Sequence, residues 1–84
     1  MSEDEALCQR IKELGNYLVV DHLKDGTIIG VGELMFTRAI YIDLDLNGWG
    51  KRFCFQDRKL AAEEYMKLKT GDDEPTGYVA RRGR

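Results

Sequence analysis

Asp43-Leu44-Asp45-Leu46-Asn47-Gly48 repeats the first half of a calcium-binding loop, with carboxylates at positions 1 and 3, an amide oxygen at 5 and glycine at 6. Such oxygens would wrap a hard cation. Position 12 of that loop needs a bidentate glutamate and is Cys54 here, while position 9 is Lys51, which repels a cation. The run is therefore expected to be a solvated strand face ending in an Asn-Gly hairpin, with no metal. Asp43 and Asp45 do not suggest an acid-base pair either, because a strand surface leaves both carboxylates in water.

Gly30-Val31-Gly32 begins like a phosphate loop, but Met35 stands where the last glycine of G-x-G-x-x-G belongs, and no helix is expected after it. A bulge or bend in a strand is the better reading. His22 is the single histidine, and Cys8 and Cys54 are the two cysteines. A Cys54–His22 nucleophile and base would need a third group and an oxyanion hole that nothing in the sequence announces. No Cys/His spacing suits zinc. The chain is expected not to be an enzyme and to use no cofactor.

Arg58 and Lys59 fall where the first turn of a helix is expected, a place where the helix dipole disfavours cations. With Lys51, Arg52 and the tail arginines Arg81, Arg82 and Arg84 they form a candidate nucleic-acid contact. A helix, three or four strands and a second helix starting with cations is also the layout of double-stranded-RNA-binding domains, although that family's loop sequences are missing here. Trp49, just past a hairpin turn, and Tyr41, on the polar side of an alternating strand, are the candidate aromatic anchors for a protein partner.

The elements that must position these residues follow from the patterning. Ser2-Glu3-Asp4-Glu5 is a capping box, Leu7, Ile11 and Leu14 share a stripe with Cys8 beside it, and Gly15 is placed as a left-handed stop, giving a helix over 3–14. The runs Tyr17–Val20 and Thr27–Val31 flank Lys24-Asp25-Gly26 as a hairpin. Ile40, Ile42, Leu44 and Leu46 alternate with Tyr41, Asp43 and Asp45, which predicts one core face and one wet face. Asn47-Gly48 is a type I′ pair, and Lys51 to Gln56 returns with Phe53 and Phe55 on one side and Arg52 and Cys54 on the other. The sheet thus occupies 17–56. Asp57 caps a helix over 57–69, with Leu60, Ala61, Tyr65 and Leu68 on one stripe, Ala62 and Met66 flanking it, and Gly71 as its stop. Residues 72–84 form a polar tail, held through Tyr78 and Val79 and loose at its end.

The whole is expected to be one α+β domain over 1–84, ordered α-β-β-β-β-α, in which a three- to four-stranded antiparallel meander carries both helices on one face. Composition agrees. With 84 residues, 43% hydrophobic, 33% charged and a net charge of −2, the chain is too apolar for disorder and has room for one small core. It has no run of about 20 apolar residues and no basic leader, so a protein of the cytoplasm, away from membranes, is expected. Residues 1–45 hold nine acids and four bases, whereas 46–84 hold six acids and nine bases, so any polyanion would meet the second half.

Ile42-Asp43, Asn47-Gly48-Trp49, Arg52-Phe53-Cys54-Phe55, Ala61-Ala62, Asp72, Pro75 and Gly77-Tyr78-Val79 together resemble a group of small proteins encoded in tailed-phage and prophage genomes. The resemblance spans about residues 17 to 80. It implies a small accessory protein in the bacterial cytoplasm and carries over no catalytic residue. The expected function is therefore non-enzymatic binding of a host or phage protein, of which inhibition of a host or defence protein is one form. Tyr41, Asp43, Asp45 and Trp49 are its expected contact residues. The alternative is nucleic-acid binding through Lys51, Arg52, Arg58, Lys59, Arg81, Arg82 and Arg84. A homodimer through the uncovered sheet face or an edge strand is a further expectation.

Overall fold

The computed structural model describes residues 3–83. Their order is α1 (Glu3–Gly15), β1 (Val19–His22), β2 (Ile28–Glu33), β3 (Arg38–Ile42), β4 (Lys51–Phe55), α2 (Arg58–Lys67) and β5 (Ala80–Gly83). The strands form an antiparallel sheet in the order β1-β2-β3-β4-β5. The α+β meander is as expected, with one strand more: the end of the tail, expected to be loose, pairs with β4, placing Arg82 opposite Arg52 and Ala80 opposite Cys54. That fifth strand departs from the layout shared with double-stranded-RNA-binding domains.

Local chemistry explains the boundaries. The Ser2 cap lies outside the described residues. At its other end α1 closes on Asn16, the left-handed residue at φ 55°, while the Tyr17 amide donates to the Lys12 carbonyl at 3.1 Å. This is a Schellman stop with asparagine, not Gly15, in the left-handed place. Gly15 has a different reason: a Cβ there would collide with the Tyr17 ring, which folds back over it. Asp57 caps α2 by accepting from the Lys59 and Leu60 amides at 2.9 and 3.3 Å. The helix stops at Lys67, short of Gly71, because Leu68 turns extended and carries its side chain into the core.

The two helices lie on opposite faces of the sheet, which corrects the one-sided arrangement expected. Ile29, Val31, Ile40, Ile42, Phe53 and Phe55 form one core with Ala61 and Leu68 of α2, and Leu60 and Tyr65 pack against it. Cys8 and Ile11 of α1 form the other with Ile28, Ala39, Tyr41, Leu44 and Cys54. The central strand β3 is consequently covered on both sides, and Tyr41 is only 7% exposed. The expected uncovered dimer face is the one α1 occupies.

A single residue causes the rest of the difference. Asp43 takes a left-handed φ of 63°, ending β3 at Ile42 and rotating the chain. Leu44 then enters the α1-side core and not the α2-side core of Ile40 and Ile42, while Leu46 is left half-exposed. Because side chains alternate with period two, such a bulge moves everything after it to the other face. The turn that follows is closed by a bridge between Asp45 and Gly48, so its central residues are Leu46 and Asn47, one position earlier than the Asn-Gly pair expected.

Residues 68–79 lead from α2 to β5 and are held by carboxylates. Gly71 donates to Asp25 at 2.8 Å, the Lys69 and Thr70 amides donate to Asp73 at 2.8 and 3.1 Å, and Pro75 is buried. Glu64, 6% exposed, accepts from the Thr76 amide at 2.9 Å, the Thr76 hydroxyl at 3.1 Å and Lys67 Nζ at 2.9 Å. The Lys67 ammonium, followed by the Thr76 amide, lowers its carboxyl from an ordinary 4.5 to about 2. A carboxylate whose folded value is depressed stabilises fully above its unfolded value and loses that contribution as pH falls. Urea unfolding of the wild type should therefore weaken between pH 4.5 and about 2. Glu64→Gln should start less stable at neutral pH and lose less over the same window. Equal losses in the two proteins would contradict this role for Glu64.

Candidate functional site

The residues expected to form an outward aromatic-acidic surface do not share one. Tyr41 sits beneath α1, with its ring 5.1 Å edge-on from Tyr17 and 5.8 Å from Trp49. Glycines make the space: a Cβ at Gly32 would press on the Tyr41 ring at 3.0 Å, and one at Gly30 would meet Leu44 at 2.7 Å and the Val19 carbonyl at 2.9 Å. The Gly30-Val31-Gly32 pattern is thus a packing device within β2, consistent with a strand and not a phosphate loop. Burial pushes the Tyr17 hydroxyl above its ordinary value, with Tyr41 and Asp45 adding to the effect. Asp43 and Asp45 are exposed, and Trp49 is half-buried.

Asp45 Oδ1 is taken by the Asn47 amide at 2.7 Å, so the calcium-like run is organised as a turn. Among the described residues, no group of three or more His, Cys, Asp or Glu is placed to hold a metal ion. His22 is exposed on edge strand β1 and Cys54 is buried on β4. Three strand spacings separate those strands, roughly 14 Å, too far for proton transfer between the two side chains.

The cations are divided between the two faces. On the α2 side, Lys51 Nζ lies 3.7 Å and Arg81 3.2 Å from Glu74, and Lys51 also donates to the Gly71 carbonyl at 3.3 Å. Arg58 is 2.6 Å from Glu33, which accounts for a cation at the start of α2: it braces the helix against the end of β2. Lys59 is exposed beside it. Arg52 and Arg82 occupy the α1 side, and Arg84 lies outside the described residues.

Sequence reasoning missed the most exposed apolar point. Met35 and Phe36 form the tip of the β2–β3 hairpin, 88% and 86% exposed. The Leu34 amide donates to the Thr37 carbonyl at 2.8 Å, closing a tight turn, and Leu34 itself is anchored in the α1-side core. Glu33 accepts from Arg38 at 3.5 Å at the hairpin base. Apolar residues in a position that usually holds Gly, Asn or Asp were the available signal. Among the described residues, no helix is long and apolar enough to cross a membrane. Comparison with protein-family models, curated proteins and solved structures finds no match.

Proposed function

We propose that this chain is a non-enzymatic accessory protein that binds another protein through the Met35–Phe36 hairpin tip. One observation carries the reading: two adjacent large apolar side chains stand in water on a turn that is fixed at its base. Burying each in a partner is worth about 1.5–3 kcal/mol. A tip held by backbone hydrogen bonds and a core-anchored Leu34 loses little freedom on docking. Around it Arg38 and Arg58 outnumber Glu33, with Lys59 nearby in sequence. The fitting partner is therefore a protein presenting an apolar cleft with an acidic rim. The resemblance to phage- and prophage-encoded proteins supports a host or phage protein as that partner.

The tagged chain should be expressed in bacteria beside Met35→Ser/Phe36→Ser and, as a control, Met66→Ser, which removes another apolar side chain that is 82% exposed, on α2. A partner retained by the wild type and Met66→Ser should then be purified and titrated. The tip variant is expected to bind it at least about 100-fold more weakly. Equal affinity for the tip variant would overturn the proposal, as would failure of the wild type to retain any protein that rebinds after purification.

A further inference from the structure

On the α1 side of the sheet, Arg52 of β4 and Arg82 of β5 are direct cross-strand neighbours. Like charges in that position destabilise a sheet. The opposite face handles its cations differently, since Lys51 and Arg81 share Glu74. Among the described residues, no carboxylate forms an ion pair with Arg52 or Arg82, and Arg52 Nε is buried without a hydrogen-bond partner. The Arg52 guanidinium lies 5.2 Å from the centre of the Trp49 ring, which is half-buried and is the single tryptophan. Helix α1 packs at the β1 end of this face, and every residue of β5 is exposed. In the next row buried Cys54 faces exposed Ala80.

We infer that Arg52, Arg82 and Trp49 form a contact site for single-stranded nucleic acid. Two guanidiniums side by side suit successive phosphates, since each offers a planar fork of donors. An indole at their edge gives an unpaired base a stacking surface, and a guanidinium plane does the same. A duplex keeps its base faces inside its stack, so it uses the arginines alone. The cost of the uncompensated cross-strand pair is offset when phosphate neutralises it, as expected where a local rule is broken at a binding site. The strip lies in the half of the chain with excess basic residues. It is separate from the hairpin tip and does not depend on the protein-binding reading.

The test is fluorescence anisotropy of a labelled oligothymidylate of about twelve nucleotides with the full chain, alongside Trp49 emission. Binding should quench Trp49 and weaken with salt at a slope near −1.4, two phosphates at roughly 0.7 each. Arg82→Ala, exposed at the sheet edge, should keep the wild-type circular dichroism spectrum and halve that slope, whereas Met35→Ser/Phe36→Ser should bind the oligonucleotide as the wild type does. No anisotropy change at about 50 mM salt, or an Arg82→Ala slope equal to the wild type's, overturns the site. A duplex of the same length binding as tightly, or a polyglutamate peptide quenching Trp49 equally, would overturn the single-strand assignment, the latter in favour of an acidic protein.

Discussion

Tyr41→Ala is expected to destabilise the protein by about 3–5 kcal/mol, the range for removing a buried aromatic side chain. A chain of 84 residues has roughly 4–13 kcal/mol in total, so the loss removes between about a quarter and all of the stability. The reason lies in its place under α1. Its ring contacts Tyr17 and Trp49 and shares a core with Cys8, Ile11 and Leu44, so truncation empties the centre of that layer. Gly32 leaves no side chain able to refill the space. Urea unfolding followed by Trp49 emission measures the loss. If Tyr41 faced water, the change would stay within about 0.5 kcal/mol, so a small value would refute the two-sided sheet. Ile11→Ala should couple with Tyr41→Ala in a double-mutant cycle, because both empty the same cluster.

The second large effect belongs to the other face. Phe53→Ala should also cost about 3–5 kcal/mol, since Phe53 is fully buried on β4 among Ile40, Ile42 and the apolar stripe of α2. It has a further consequence that Tyr41→Ala lacks. The Tyr78 ring lies tilted against the Phe53 ring at 5.1 Å, and the Arg81 guanidinium lies 5.5 Å from the Phe53 ring centre, so Phe53 helps to seat β5. Hydrogen exchange in a partly stabilising buffer should accordingly show faster exchange along β5 in Phe53→Leu, a milder change that keeps the fold. Exchange in α1 should be little altered. Uniform acceleration across the sheet would mean that β5 is held by its backbone ladder alone. Because Phe53 and Tyr41 lie in separate clusters, their effects should add, measured with milder variants such as Phe53→Leu and Tyr41→Phe.

These two residues also show what patterning can and cannot reveal. Phe53 and Phe55 on one side of β4, with Arg52 and Cys54 on the other, were legible from alternation alone, and the register confirms them. The Asp57 cap and the Leu60, Ala61 and Tyr65 stripe were equally legible, because capping and helical period act over a few residues, whereas Leu68 reaches the same core from extended backbone beyond the helix end. Tyr41 was misplaced because one alternating strand says which residues share a face, not how many faces are covered. The clue was spread over other strands. Ile28 and Ile29 are consecutive, Phe53-Cys54-Phe55 has no polar break, and Gly30, Gly32 and Ala39 are small where Tyr41 and Leu44 need room. Near-continuous apolar strands are the mark of a sheet buried on both sides.

The order of the first six elements, the antiparallel pairing of their strands and the Asp57 cap of α2 were settled by short-range chemistry in the sequence itself. Three things were decided by the tertiary structure: the placing of the helices on opposite faces, the left-handed Asp43 that sends Leu44 to the second core, and the recruitment of 80–83 as a fifth strand. All three depend on contacts between residues far apart along the chain, such as Tyr41 with Tyr17 and Phe53 with Tyr78. Their energies enter only when the sheet has already closed, and a local pattern of residue types carries no record of them.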